Sequence, residues 1–137
     1  MWQAYAVLSA LFAAFTAIFA KMGMKGIDSD LATALRTIVI LALAWSIVFA
    51  KGTASAIYQL NRQNWLFLAL SGLATGGSWI FYFKAMQAGK ISQVAAVDKS
   101  SLALTLLLAA VILGEAITWK IAVGTALILG GTIIIIL

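Results

Sequence analysis

The sequence predicts an all-α integral membrane protein with five transmembrane helices. Of its 137 residues, 64% are hydrophobic and only 9% are charged, whereas a soluble domain has about 45–50% apolar and about 25% charged residues. The mean hydropathy is +1.10. Five predominantly apolar stretches, each near the ~20 residues that cross a bilayer, follow one another with short connections. Within a single domain over 1–137, the predicted spans are 2–22, 31–50, 65–86, 91–113 and 117–137.

The residue types that are missing restrict the chemistry. His, Cys and Pro are all absent, which removes imidazole and thiolate metal sites, cysteine nucleophiles and disulfides. No nucleophile–base pair has usable spacing, so we expect no enzyme, no metal and no cofactor. The net charge is +5, but the cations lie mostly at the ends of apolar runs, where Lys and Arg reach the headgroups. Nucleic acid is therefore not predicted as a partner.

Span one has no charged residue before Lys21. The connection that follows, MKGIDSD, is rich in turn residues. Gly26 is expected to end the first helix, and Ser29 or Asp30 to cap the start of the second.

Arg36 lies one to two turns inside span two. One interpretation is a guanidinium that extends back to the same interface as Lys21 and Lys25. The other is a functional cation, which would pair with an anionic group of a solute or with Asp98. The polar connection after this span, KGTASAIYQLNRQN, is expected to form a short interfacial segment.

Span three contains the most small residues. Gly72 and Gly76 form a GxxxG motif, and Gly77 follows. Because such runs allow close approach between apolar helices, they predict helix packing. The alternative is a thin or bent helix beside a substrate cavity.

Three aromatic residues at the end of span three, Trp79, Tyr82 and Phe83, share one helical face. Trp and Tyr combine ring surface with a polar tip, which suits a solute with apolar and polar parts. Trp79 and Tyr82 are therefore predicted to line a pathway, although an interfacial belt position is the plainer interpretation of Tyr82.

Span four carries an acid and a base side by side, Asp98 and Lys99, roughly 10 Å along the helix from its start. A charged residue at the centre of a membrane helix costs about 2.5–3.5 kcal/mol, and such residues usually face a pathway for ions or solutes. Ser101 and Thr105 continue the face of Asp98 with two hydroxyls. These four residues are predicted to line the pathway. The alternative is a structural pair, with Asp98 satisfied by Lys99, by Arg36 or by a nearby hydroxyl.

The last connection and span five are expected to have a structural role. Gly114 is predicted to end span four, and Glu115 to lie near the start of the next helix. Gly124, Gly130 and Gly131 in span five predict packing and dimer contacts.

An odd number of spans places the two ends of the chain on opposite sides of the membrane. Two copies inserted in opposite orientations would then pair like the halves of an inverted-repeat transporter. The positive-inside rule favours an outside N-terminus and an inside C-terminus, but the bias is small enough to permit both insertions. The cations of one side are Lys21, Lys25, Arg36, Lys84 and Lys90, with Lys99 nearby, against Lys51, Arg62 and Lys120 on the other.

Several segments resemble one known family. They are SWIFYFKAMQAGKISQVAAV, the Leu-Gly-Glu at 113–115, and the glycine-bounded segment 124–131. Together with five spans, they are similar to the EamA-type domain of the drug/metabolite transporter (DMT) superfamily over essentially the whole chain. Most members carry two such repeats, so the resemblance implies a ten-helix homodimer, parallel or antiparallel. Many members also have a proline near the start of span four, where this chain has Val-Asp-Lys-Ser at 97–100.

The resemblance implies a secondary carrier that moves a small metabolite or drug-like solute across the plasma or inner membrane by alternating access. A proton is a candidate coupling ion, and the lipid bilayer is the surrounding partner. The alternative is a membrane component that does not transport, such as an assembly subunit or a partner in handling lipids or lipid-linked sugars.

Overall fold

The structure, a computed structural model, describes residues 1–137 and confirms the all-helical fold class. A 3-10 helix, Ala54–Gln59, follows the second α-helix. Five segments are long and apolar enough to cross a membrane, and one of them, Ile91–Ile112, consists of two shorter α-helices. The α-helices are α1 (Trp2–Gly23), α2 (Ser29–Ala50), α3 (Arg62–Ala88), α4 (Ile91–Asp98), α5 (Ser101–Ile112) and α6 (Trp119–Ile136).

The start of α2 differs from the predicted cap. Gly26 has a φ of +78°, and the N-cap is Asp28 rather than Ser29 or Asp30. The Asp28 carboxylate accepts hydrogen bonds from the backbone N–H groups of Asp30 at 2.9 Å and Leu31 at 3.1 Å. The prediction was wrong because the turn closes earlier in the chain and leaves Ser29 as the first helical residue, buried at 3% exposure.

The connection between α5 and α6 is longer than predicted. Gly114 has a φ of +69° and follows the end of α5, in agreement with its predicted role. Glu115 does not lie at the start of the next helix, because α6 begins at Trp119. The hydroxyl of Thr118 caps α6 by accepting from the N–H of Ile121 at 3.4 Å.

The chain divides into two compact units, which are described separately. The first unit contains residues 1–18 and 88–137, and the second unit contains residues 19–87. The expectation of one domain over 1–137 stays a prediction.

Most apolar side chains of the chain are exposed. The fully buried large side chains are Phe83 and Met86, while Leu108 and Ile134, on apolar helices, are 57% and 76% exposed. In a soluble protein this much apolar surface would be covered by other protein. In a bilayer, lipid tails cover it, because they are as apolar as leucine.

The glycines predicted to mediate helix packing have open space beside them. Apart from the adjacent residues and the backbone of its own helical turns, a Cβ added at any of them would meet no atom within 4 Å. Their packing role therefore stays a prediction, and within this single chain no neighbour fills the space. These glycines are Gly72, Gly76, Gly77, Gly124, Gly130 and Gly131.

Candidate functional site

Polar contacts join the start of α2 to the end of α3 in the second unit. The Lys84 ammonium lies 3.1 Å from the Asp30 carboxylate, and both side chains are about half exposed. The side-chain amide of Gln87 donates to the carbonyl of Ile27 at 2.8 Å. These contacts fix the α1–α2 loop and the first turn of α2 against the last turns of α3.

Arg36 lies deeper along the same helix pair. Its guanidinium carbon is 3.9 Å from the centre of the Trp79 ring and 4.8 Å from the centre of the Phe83 ring. At about 1.5 Å per residue, Arg36 is about 9 Å along α2 from Asp30, and Trp79 is about 7.5 Å along α3 from Lys84. The guanidinium therefore lies at the depth of the rings. Such cation–π contacts contribute roughly 0.5–2 kcal/mol, more when desolvated.

The second ring under Arg36 was not among the predicted pathway residues. Phe83 is 1% exposed and follows Trp79 by one helical turn, a spacing visible in the sequence. Tyr82 lies beside Phe83, with ring centres 6.2 Å apart and a 40° tilt, and its place along the pathway stays a prediction. The structure thus brings Arg36 and Trp79 together and adds Phe83 to them.

Other polar groups near Arg36 on α2 are already hydrogen-bonded. The Thr33 hydroxyl donates to the carbonyl of Ser29, and the Thr37 hydroxyl donates to the carbonyl of Thr33, both at 2.8 Å. Asp30 pairs with Lys84. Within the second unit Arg36 forms no ion pair, so its in-plane N–H donors face no protein carboxylate.

In the first unit, the fourth span is interrupted where its charges lie. The expected continuous helix over 91–113 is instead two helices, with Lys99 and Ser100 in a turn between them. Around this turn the amides donate to carbonyls three residues earlier, as in a 3-10 helix, at 2.9–3.2 Å. Asp and Ser are weak helix formers because their side chains compete for backbone hydrogen bonds, which accounts for the position of the interruption. The donors are Lys99, Ser100, Leu102 and Ala103.

Asp98 and Lys99 form an ion pair at this interruption. The Lys99 ammonium lies 3.5 Å from the Asp98 carboxylate, and their side chains are 65% and 39% exposed respectively. Ser101 and Thr105 lie beyond the turn on α5, where the Thr105 hydroxyl donates to the Ser101 carbonyl at 2.9 Å. The turn at Lys99 and Ser100 lies between Asp98 and these two hydroxyls, and their shared place along a pathway stays a prediction.

Thr132 connects α6 to the end of α4. Its hydroxyl lies 3.1 Å from the carbonyl of Ala96 and 3.0 Å from the carbonyl of Ile128, and the residue is 5% exposed. One hydroxyl proton is shared between these two acceptors. Sequence reasoning missed Thr132, since one threonine in an apolar span carries no spacing pattern.

No three acidic side chains lie close enough together to hold a metal ion. The polar groups available to a ligand are a guanidinium over aromatic rings in the second unit and an ion pair in an interrupted helix in the first. Such groups can bind and orient a charged solute.

Comparison with known proteins identifies the family. Residues 1–137 match the EamA-like transporter family. The chain belongs to this family. It is also 44% identical over 134 residues to a protein from a Sinorhizobium species named "uncharacterized transporter in cobO 3′ region", a match that covers 98% of this chain and 95% of the relative. No solved structure matches the chain significantly. This EamA-like chain is thus a multi-pass membrane protein of a transporter family, as its sequence predicts.

Proposed function

We propose that this protein is a secondary carrier that moves a small metabolite or drug-like solute across the cell membrane by alternating access. Membership of a transporter family and the transporter-named relative support transport rather than catalysis. The observation that carries the proposal is the interruption of the fourth span at Asp98 and Lys99.

The physical reason lies in the local change of helix type. The backbone at Lys99 and Ser100 keeps helical dihedral angles but tightens from α to 3-10, and a 3-10 stretch in the middle of a helix often marks a functional hinge. Many secondary transporters have their binding sites at discontinuous membrane helices. The partly exposed Asp98 carboxylate at this point is suited to hold a proton or a cationic group of the solute.

The functional unit is proposed to be a homodimer of two chains in opposite orientations. One chain supplies five spans, and most transporters with inverted repeats use two related halves around a central site. The open space beside the six helical glycines supports close approach of a second copy.

Flux measurements in proteoliposomes test the carrier proposal. A defined mixture of amino acids, carboxylates, sugars, nucleosides and amines is offered to vesicles containing the purified protein, and uptake is measured by mass spectrometry. We expect Asp98→Asn and Lys99→Met each to lower flux about tenfold or more, since a charged hydrogen bond is worth roughly 1.5–3 kcal/mol.

Two matched controls remove the same charges outside the interruption. Glu115→Gln removes an acid from the α5–α6 connection, and Lys90→Met removes a cation from the start of α4; both should retain flux. If Asp98→Asn and Lys99→Met transport as well as the wild type, the site assignment is wrong. If the purified wild type moves no solute and a second protein co-purifies with it, these results favour a membrane assembly component over a carrier.

A further inference from the structure

We propose that Arg36, held over Trp79 and Phe83, recognises the anionic group of a monoanionic organic solute whose apolar or aromatic part lies against Trp79. This inference rests on the proposed carrier function and specifies its substrate class. It depends on contacts within the second unit alone, and none of these contacts involves Asp98 or Lys99.

The guanidinium of Arg36 lies within the membrane span rather than at its end. An arginine that only anchors a helix would extend toward the headgroups. Arg36 instead lies closest to Trp79, the deeper of its two rings, at 3.9 Å against 4.8 Å for Phe83. The ion pair of Asp30 and Lys84 lies about 7.5–9 Å nearer to the helix ends. The cation is therefore held inside the membrane span, beyond the polar groups that mark its end.

The positive charge of Arg36 has no counter-ion within the second unit. Each acid of the second unit already has a role, because Asp28 caps α2 and Asp30 pairs with Lys84. Arg36 has no carboxylate partner in this unit. A charge at such depth is costly unless it is paired, and the ring contacts offset only part of that cost. Because the Arg36 guanidinium carries one uncompensated positive charge, a solute with one negative charge would balance it, which favours a monoanion.

The N–H donors of Arg36 have a geometry that suits a carboxylate. A guanidinium that stacks on rings by its face keeps its N–H donors at its edges, in a planar fork that matches the two oxygens of a carboxylate. The neighbouring Thr33 and Thr37 hydroxyls donate their protons to backbone carbonyls. Arg36 is thus the group at this position that can donate to an anion.

The apolar part of the solute is placed against Trp79 because the two rings beside Arg36 differ in exposure. Phe83 is buried beneath the guanidinium, whereas Trp79 is only partly buried. A flat apolar group beside the carboxylate would cover the part of Trp79 that is exposed. Aromatic monocarboxylates combine both features, and benzoate is the simplest probe of the class.

Titration of the full-length protein with benzoate tests the proposal. Binding is measured by isothermal titration calorimetry in nanodiscs of zwitterionic phosphatidylcholine, with neutral benzamide as the isosteric comparison. Site contact is read from the fluorescence of Trp79 in a variant whose other four tryptophans are replaced by phenylalanine. We expect benzoate to bind at least about tenfold more tightly than benzamide and to change the Trp79 emission.

The substitutions separate the guanidinium from general charge effects. Arg36→Gln should weaken benzoate binding about tenfold or more. Arg36→Lys keeps the charge but loses the planar fork, so it should also weaken binding, by a smaller factor. Lys25→Gln removes a cation from the exposed α1–α2 loop of the same unit and should leave binding unchanged. Circular dichroism checks that each variant is folded. If Arg36→Gln does not fold, Arg36→Lys alone tests the role of the guanidinium in benzoate binding.

Three results would overturn the inference. They are the absence of benzoate binding, equal binding of benzoate and benzamide, and equal benzoate affinity in the wild type and both Arg36 variants. A fourth result distinguishes a lipid headgroup from a solute as the source of the anion. If added phosphatidylglycerol abolishes benzoate binding in the wild type but not in Lys25→Gln, the lipid acts through the cation of the α1–α2 loop, and the solute site at Arg36 stands. If phosphatidylglycerol alone produces the Arg36-dependent Trp79 change and benzoate does not, the ligand is a headgroup and the inference fails.

The flux measurements test the carrier function independently of benzoate binding. Flux that depends on Asp98, without Arg36-dependent benzoate binding, would overturn this inference alone. Benzoate binding to Arg36 in a protein that moves no solute would overturn the carrier function and leave the anion site in place.

Discussion

Two neighbouring aspartates at the start of α2 have the same chemistry and different roles. Asp28 accepts two backbone N–H groups that have no partner within the helix. Asp30 pairs with Lys84 through side chains that are both about half exposed. The cap satisfies backbone groups, whereas the ion pair competes with water and salt.

This difference predicts unequal effects of two similar substitutions. Asp28→Ala should lower the free energy of unfolding by about 1 kcal/mol, and Asp30→Ala by about 0.5 kcal/mol, since exposed ion pairs contribute roughly 0.2–1 kcal/mol. Unfolding is followed by circular dichroism in detergent micelles titrated with a denaturing detergent. Asp28→Asn is the control, because asparagine also caps helices, and it should remain near the wild type. A larger loss for Asp30→Ala than for Asp28→Ala would contradict these roles.

The sequence predicts the chemistry of individual residues better than their contacts. The depth of Arg36 and the shared face of Trp79 and Phe83 follow from helical spacing. That the guanidinium lies over these rings depends on how α2 packs against α3, which no local pattern specifies. The cap at Asp28 was missed for a related reason, because Asp28, Ser29 and Asp30 can all cap a helix and the loop length selects one.

At the scale of elements, the fourth span shows where a hydropathy pattern stops being informative. Its length and composition predict a membrane crossing, and Ile91–Ile112 has both. The hydropathy pattern does not distinguish one straight helix from two short helices joined at the polar residues Asp98, Lys99 and Ser100. Thr132 contributes to the interruption, since its hydroxyl lies 3.1 Å from the Ala96 carbonyl just before the two helices separate.

Removal of the Thr132 hydroxyl should loosen this junction. Thr132→Val keeps the shape of the side chain and removes an interhelical hydrogen bond of a type worth about 0.6 kcal/mol on average in membrane proteins. We expect amide hydrogen exchange at 97–103 to become about threefold faster, measured by mass spectrometry of the detergent-solubilised protein.

Thr75→Val provides the matched control. The Thr75 hydroxyl donates to the carbonyl of Ser71 in its own helix, at 2.9 Å, and connects no second element. Its removal should leave exchange at 97–103 unchanged. Equal rates in Thr132→Val and the wild type would mean that the hydroxyl does not hold the junction.

At the scale of the whole molecule, five spans and a small charge bias determine how the chain can insert. The cations of the two sides number five or six against three, as counted along the sequence. A bias of this size favours one orientation without excluding the other. Removal of Lys51 and Arg62 would leave Lys120 alone on the weaker side and should fix one orientation.

The absence of native cysteines makes orientation directly measurable. A single cysteine is placed near the N-terminus and, separately, in the connection at 51–64, and each is labelled from either side of intact cells with an impermeant thiol reagent. The antiparallel homodimer predicts labelling from both sides at both positions. It also predicts that Lys51→Gln with Arg62→Gln gives one-sided labelling and loses most solute flux, because opposite partners are then scarce. One-sided labelling of the otherwise unchanged protein, with full flux, would show that the pairing of inverted copies is wrong and would leave a parallel dimer or a separate partner as the models.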